Sequence, residues 1–135
     1  MNGKPFLDTN VLVYAFSTSD RRGETAKKLL AQGGVVSVQV LNEFVNVSRG
    51  KLRRDWDAIG QSLQAMREFL DAPASLTDET HRLAFDLSRR YGFAIYDSLI
   101  LSAARLAGCG IVYTEDFQHG QVVEGVLVQN PFLDA

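Results

Sequence analysis

The stretch Pro5-Phe6-Leu7-Asp8-Thr9-Asn10-Val11-Leu12 joins a short apolar segment to a second one through three consecutive residues that favour helix N-termini. Phe6 and Leu7 are typical of a buried strand. Residues 11–16 are apolar on all sides, which predicts a buried helix. A strand that leads directly into a helix begins a βαβ unit, so the stretch predicts an α/β fold.

The same alternation of strands and helices continues along the chain. Strands are predicted at 5–7, 35–38, 75–77, 111–113 and 126–128, and helices at 10–16, 21–32, 39–49, 55–71, 78–91 and 96–107. Strands that alternate with helices favour a parallel sheet covered on both faces. We therefore expect a three-layer α/β/α architecture with a central, mostly parallel sheet of about five strands, in a single domain spanning residues 1–135.

Composition limits the class of protein. The chain has 135 residues, of which 46% are apolar and 22% charged, as in ordinary soluble domains. No apolar run is long enough to cross a membrane and no signal peptide is recognisable, so a cytoplasmic protein without a membrane partner is expected. The single cysteine, Cys109, excludes an internal disulfide, and two histidines far apart give no zinc-type spacing.

Four acidic residues stand where an open α/β sheet binds ligands, beyond the carboxyl ends of its strands. They are Asp8 and Asp116 after predicted strands, Glu43 within the helix that follows the second strand, and Asp97 near the start of the last helix. Carboxylates brought together repel one another, and a divalent cation relieves that repulsion. Mg²⁺ suits such a site because it takes oxygen ligands and keeps several waters.

Asp97 is placed most clearly by the helical periodicity of its segment. On a helical wheel Ser98, Ser102 and Arg105 form one narrow polar face, whereas Leu101 and Ala104 flank Asp97. Asp97 is therefore expected on the buried side of its helix, where a carboxylate needs a partner. That partner could be the N-terminal amides of its own helix or a metal ion.

The other acids also have structural alternatives. Asp8 could cap the helix that follows it, and Glu43, at the border of the polar and apolar sides of its helix, could be a solvated residue. Asp116 could belong to an acidic surface turn. Glu115 beside it leaves open which of the two acids points inward.

Four short motifs in order resemble those of the PIN-domain nucleases, and most closely the VapC-type toxins of bacterial toxin–antitoxin pairs. The motifs are Asp8-Thr9-Asn10-Val11-Leu12, Leu41-Asn42-Glu43-Phe44, Tyr96-Asp97-Ser98-Leu99-Ile100 and Thr114-Glu115-Asp116-Phe117. The likeness extends from about Phe6 to Phe132. It implies a parallel sheet, usually of five strands, and Mg²⁺- or Mn²⁺-dependent cleavage of RNA.

The resemblance also implies roles for individual residues. Asp8 and Asp97 match the family's core metal ligands, and Glu43 and Asp116 match a third and a fourth acid. Asn10 matches a polar residue that supports the first acid, Asp8, and Thr114 matches the hydroxyl residue that precedes the fourth acid; both would orient ligands by hydrogen bonds. The chemistry implied is phosphodiester hydrolysis by a water that the metal activates, leaving 5′-phosphate and 3′-hydroxyl ends. A VapB-like antitoxin that wraps the enzyme and a homodimer are implied as well.

A net charge of −2 is not typical of a nucleic-acid binder, but basic residues cluster. Candidates for contacting the RNA backbone are Arg49, Lys51, Arg53 and Arg54, with Arg89 and Arg90 as a second group. Each cluster could instead be a solvated helix end that complements the helix dipole.

Three other functions fit the sequence less well. A phosphatase of the haloacid-dehalogenase type needs a second aspartate two residues after the first, where this chain has Asn10. A receiver domain of the response-regulator type would have an acidic pair at the end of the first strand, where only Asp8 stands. The remaining alternative is a catalytically inactive PIN-like module that binds RNA or a protein.

Overall fold

The computed structural model describes residues 3–134; Met1, Asn2 and Ala135, which the expected single domain includes, lie outside the described residues. The helices of this part are α1 (Thr9–Ser17), α2 (Arg21–Gln32), α3 (Val38–Asn46), α4 (Trp56–Phe69), α5 (Asp78–Tyr91) and α6 (Ile95–Leu106). The strands are β1 (Phe6–Leu7), β2 (Ile111–Tyr113), β3 (Val122–Val123) and β4 (Val126–Gln129). A π-helical turn, Val47–Lys51, continues directly from α3.

The strands form one sheet in the order β1-β2-β4-β3. β1, β2 and β4 run parallel, with Leu7 opposite Tyr113, and β3 pairs with β4 in the antiparallel sense. Beyond β1 the sheet is extended by two single parallel bridges, Phe6 to Val35 and Ser37 to Ala74. The expected α/β fold with a mostly parallel sheet is therefore confirmed, with four strands rather than five.

The predicted strands 35–38 and 75–77 are reduced to these bridges because their neighbours leave no room for more. Gly33 and Gly34 precede the first segment with positive φ, and α3 begins at Val38, immediately after it. Ser37 ends the extended segment by accepting a hydrogen bond from the Val40 N–H as the N-cap of α3. The second segment pairs through Ala74, one residue before the predicted strand.

The hairpin of β3 and β4 was not predicted. Its two-residue loop, Glu124-Gly125, has φ values of 50° and 81°, which is typical of a type I′ turn. Glutamate is unusual at such a position. Here its carboxylate accepts hydrogen bonds from Arg90 and Arg105, which hold the turn against α5 and α6.

The core lies between the sheet and the helices. Its largest fully buried side chains include Phe6, Phe44, Leu12, Leu101 and Val112. The predicted polar face of α6 is wrong in part: Ser98 and Ser102 are fully buried, because α5 packs against this side and Ser88 donates a 2.8 Å hydrogen bond to Ser98. Among the residues described, no helix combines the length and apolarity needed to cross a membrane.

Candidate active site

Asp8 and Thr114 are brought together by the register of the sheet. Asp8 directly follows β1 and Thr114 directly follows β2, and these strands lie side by side with Leu7 opposite Tyr113. The Thr114 hydroxyl donates a 2.7 Å hydrogen bond to Asp8 Oδ2. The other carboxylate oxygen of Asp8 accepts the Thr9 N–H at 2.7 Å. Asp8 therefore caps α1 with one oxygen and faces the edge of the sheet with the other.

The environment of Asp8 disfavours its charge. The residue is only 3% exposed. Burial raises the pKa of Asp8 from 3.8 to about 7, although the hydrogen bonds from Thr114 and Thr9 lower it. The carboxylates of Asp116 and Glu43 raise the same pKa further. A cation at this edge would relieve both the burial cost and the repulsion.

Glu43 is held in place from two sides. Thr9 donates a hydrogen bond from its hydroxyl to Glu43 Oε2 at 2.8 Å, and Gln39 donates from Nε2 to Glu43 Oε1 at 2.7 Å. The same Gln39 amide donates to the carbonyl of Tyr96 at 3.1 Å, which ties α3 to the start of α6. Glu43 is therefore an oriented, half-buried carboxylate and not a freely solvated one. Thr9 and Gln39 were not singled out in the sequence, although Gln39 precedes Glu43 by one helical turn.

Asp116 and its neighbour Glu115 accept hydrogen bonds from different residues. Asn10, which was expected to support Asp8, instead donates from Nδ2 to Asp116 Oδ2 and to the Thr114 hydroxyl, both at 3.3 Å. Glu115 instead accepts a 2.6 Å hydrogen bond from the hydroxyl of Tyr14. Partial burial raises the pKa of Asp116, with further contributions from Glu115 and Glu43, whereas the bond from Asn10 lowers it. Asp116 is the acid turned toward the cluster.

Asp97 lies in the first turn of α6 and is half-buried, whereas its periodicity predicted a place on the buried side of the helix. No described residue donates a hydrogen bond to its carboxylate, so the helix N-terminus does not bond it. Burial raises the pKa of Asp97, and the charges of Asp116 and Glu43 raise it further. Asp97 is thus an acid of the cluster with no bonded partner in the part of the chain described.

The donor set fits a hard cation bound mainly through water. Within residues 3–134 no three Asp, Glu, His or Cys side chains are arranged to bind one ion directly. Mg²⁺ is commonly held by one or two carboxylates, with waters and a substrate phosphate completing the shell. The buried oxygens Asn10 Oδ1 and Gln39 Oε1 have no hydrogen-bond partner among the described residues. Such acceptors beside the acids suit ordered waters.

A cleft of about 340 Å³ opens beside the cluster. It is lined by Thr9, Asn10, Val13, Tyr14, Glu43, Val47, Lys51, Glu115 and Asp116, so both acids of the loop after β2 reach it. Lys51 is the member of the predicted RNA-binding group that lines this cleft, and it comes from the π-helical turn.

The other basic candidates lie elsewhere. Arg54 is half-buried and donates a 2.8 Å hydrogen bond to Ser62 of α4, whereas Arg53 is exposed with a φ of 55°. The guanidinium of Arg49 lies over the ring of Trp56. Arg89 and Arg90 form ion pairs with Asp86.

A known protein family matches most of the chain. A family model described as the PIN domain matches residues 6–124. The chain belongs to the PIN domain family. The acids Asp8, Glu43, Asp97 and Asp116 all fall inside the matched range. The comparison with curated proteins finds no match.

Solved structures give the same fold. VapC20 of Mycobacterium tuberculosis, a toxin that cleaves the sarcin-ricin loop, is 22% identical with a TM-score of 0.67, covering 83% of this chain and 89% of that one. A toxin–antitoxin complex from Klebsiella pneumoniae is 21% identical with a TM-score of 0.70, covering 94% and 97%. VapBC2 of Rickettsia felis, bound to a DNA fragment from its promoter, is 18% identical with a TM-score of 0.66, covering 93% and 97%. At these sequence identities, the similarity shows a shared fold.

Proposed function

We propose that this PIN domain is a ribonuclease that hydrolyses phosphodiester bonds with the help of Mg²⁺ or Mn²⁺. The observation that carries the proposal is the cluster of acids at the carboxyl edge of β1 and β2. Asp8, Asp97 and Asp116 all have raised pKa values there, and the charge of Glu43 contributes to each. A protein gains no stability from crowding carboxylates unless something positive joins them.

Two of the acids would bind the cation, and a third would transfer a proton. Asp8 and Asp97 would hold the cation, which when bound lowers the pKa of a water and offsets charge on the scissile phosphate. Glu43, which is oriented by Thr9 and Gln39, would accept the proton of the attacking water. Asn10 and Thr114 fix Asp116 and Asp8 through hydrogen bonds.

Cleavage of RNA tests the proposal. The purified protein would be incubated with total RNA in Mg²⁺, in Mn²⁺ and in EDTA, beside Asp8→Asn and Glu115→Gln variants of confirmed folding. We expect cleavage with either cation and with Glu115→Gln, but none in EDTA or with Asp8→Asn. The products should carry 5′-phosphate and 3′-hydroxyl ends. Recovery of 2′,3′-cyclic phosphates would contradict hydrolysis by water.

The fold matches support a proposal for the biological role. The toxin–antitoxin complex from Klebsiella pneumoniae and VapBC2 share the fold over 94% and 93% of this chain. We place the chain as the toxin of such a pair, a homodimer that cuts cellular RNA in the cytoplasm and is blocked by a VapB-like antitoxin. Expression of the wild-type chain should arrest growth, and expression of Asp8→Asn should not. Equal growth of the two strains would speak against the toxin role.

A further inference from the structure

Trp56 is an exposed aromatic side chain held by a cation. It is the first residue of α4 and is 60% exposed. The guanidinium carbon of Arg49 lies 5.0 Å from the centre of its ring. Arg49 also donates a hydrogen bond to the carbonyl of Arg54 at 3.2 Å, so the cation is fixed to the loop that leads into α4. The indole is thus oriented while much of its surface stays open.

Exposed basic residues precede this ring in the chain, and two exposed acids, Asp55 and Asp57, flank it. Arg49, Lys51 and Arg53 are exposed and lie in the π-helical turn and the loop after it. In the described part of the chain none of them forms an ion pair with an acidic side chain. Of the acids that follow, Asp55 is used to cap α4 by accepting the Ala58 N–H. These cations are therefore available to a polyanion.

The π-helical turn connects the ring to the acid cluster. Lys51, at its end, lines the same cleft as Glu43 and Asp116. Arg49, two residues earlier, lies over Trp56. One short turn thus carries a cation into the cleft and another onto the aromatic ring. The cleft and the ring are thus linked through the five residues of this turn.

We infer that Arg49 and Trp56 form a stacking platform for a nucleobase of single-stranded RNA whose phosphate lies in the cleft, with Lys51 contacting the backbone between them. The inference rests on the proposed ribonuclease function. Aromatic rings beside cations bind single strands by stacking, because every base has a π-face. The three unpaired cations favour a nucleic acid over a protein segment as the occupant.

Because Trp56 is the one tryptophan of the chain, its fluorescence reports on this platform alone. The Glu43→Gln variant keeps Asp8 and Asp97 to hold the cation but lacks the proton acceptor, so it should not cut. It would be titrated in Mg²⁺ with a short single-stranded oligoribonucleotide and with an abasic oligomer of the same length. We expect saturable quenching by the oligoribonucleotide and none by the abasic oligomer. Quenching of equal size by both would overturn the inference, since phosphates alone would then account for it.

Substitutions give a second readout, measured by anisotropy of a labelled oligoribonucleotide. Trp56→Ala should weaken binding about 5- to 100-fold, and Trp56→Phe by less, because a smaller ring still stacks. Phe85→Ala is the matched control, since Phe85 is also 60% exposed but lies on α5. In wild-type background Trp56→Ala should raise KM and leave kcat nearly unchanged.

The outcomes separate this inference from the proposed function. If the wild-type protein cleaves the oligomer but Trp56→Ala binds it as tightly as Phe85→Ala does, the platform is wrong and the ribonuclease stands. If a partner protein quenches Trp56 and RNA does not, the surface is a protein interface and the inference fails. If the protein neither binds nor cleaves any oligomer, the proposed ribonuclease function and the stacking platform are both wrong.

Discussion

Thr114 uses the full bonding capacity of its hydroxyl. It donates to Asp8 Oδ2 at 2.7 Å and accepts from Asn10 Nδ2 at 3.3 Å and from the Asp116 N–H at 3.1 Å. A hydroxyl has one proton and two lone pairs, so each direction is occupied. One buried side chain therefore fixes Asp8 relative to Asp116.

Removing this hydroxyl should disturb the site more than the fold. Thr114→Val keeps the shape of the side chain but deprives Asp8 of a donor. We expect kcat/KM for RNA cleavage to fall about 10- to 100-fold, as is typical when a partner of a metal ligand is lost. Thr114→Ser should restore most of the activity. Wild-type activity in Thr114→Val would mean that the hydroxyl does not position Asp8.

Asp116 and Glu115 should differ sharply although they are adjacent. Asp116→Asn removes a charge that faces the cluster, and cleavage should fall about 10- to 100-fold. Glu115→Gln keeps an oxygen that can accept from Tyr14, so its rate should stay within about twofold of wild type. Rates measured with one RNA at saturating Mg²⁺ decide the matter, and the opposite order would make Glu115 the fourth acid.

Stability of the metal-free protein should fall as pH rises. Asp8 has a folded pKa of about 7 against 3.8 for the free group, so the folded protein keeps a proton that the unfolded chain releases between these values. By linkage the free energy of unfolding then decreases from about pH 4 to about pH 7, by about 4 kcal/mol for this residue. The raised pKa values of Asp97 and Asp116 act in the same direction.

Denaturation in EDTA at about pH 5 and about pH 8 measures this effect. Asp8→Asn carries no charge at either pH, so its free energy of unfolding should change less between them than that of wild type. The variant should be the more stable of the two proteins at the higher pH. An equal change in the free energy of unfolding of both proteins between the two pH values would show that burial does not disfavour the charge of Asp8.

At the scale of elements, the turn between α1 and α2 depends on Gly23. A Cβ atom at this position would lie 1.8 Å from the carbonyl oxygen of Thr18 and 3.3 Å from that of Tyr14. Both oxygens belong to backbone at the end of α1, which cannot rotate aside as a side chain would. α2 therefore packs this closely only because residue 23 has no side chain.

Gly23→Ala should lower the free energy of unfolding by about 1–3 kcal/mol, because α2 must move away from α1. Gly60→Ala is the matched control, since that residue lies within α4 with nothing within 4 Å of the added atom. The control should raise stability by about 0.4–1 kcal/mol through the unfolded chain. Thermal or chemical unfolding compares the two, and equal effects would contradict the close approach.

The helices could be predicted from sequence more accurately than the strands. The bounds 21–32 and 78–91 agree with α2 and α5, because apolar periodicity is local. The strand predicted at 35–38 is shorter in the structure because Ser37 caps α3. The strand β3 was not predicted because its turn, Glu124-Gly125, lacks the Asn-Gly sequence that usually marks such a hairpin. The Ser37 cap depends on the Val40 N–H, and the Glu124 turn depends on Arg90 and Arg105.

The acids were more predictable than the groups that hold them. Asp8, Glu43, Asp97 and Asp116 stand out as charged residues near strand ends or on a buried helix side. Their neighbours Thr9, Gln39 and Tyr14 look ordinary in sequence, because their role follows from the docking of α1 against α3 and the loop after β2. The burial of Ser98 and Ser102 likewise required α5 to be in place.

At the scale of the whole molecule, the distribution of charge would oppose RNA binding unless a cation is bound. The chain has a net charge of −2, and its acids crowd the cleft that Lys51 also lines. A phosphate entering this cleft meets negative charge unless a divalent ion is bound. We expect Mg²⁺ to raise RNA affinity, and added salt to weaken it through Arg49, Lys51 and Arg53. Anisotropy of labelled RNA measures both effects with a Glu43→Gln variant, which keeps Asp8 and Asp97 to hold the cation but should not cut. RNA binding that does not change with added salt would exclude a backbone contact.

Binding of Mn²⁺ to the RNA-free protein, followed by titration calorimetry, tests the central claim most directly. Asp97→Asn is the most informative variant, because no described residue hydrogen-bonds this carboxylate and its loss breaks no internal contact. Asp57→Asn, an exposed acid on α4, is the matched control. The account predicts saturable binding by wild type and by Asp57→Asn, weakened about tenfold or more in Asp97→Asn. Identical isotherms for all three proteins, or no binding by wild type, would contradict a metal site at these acids.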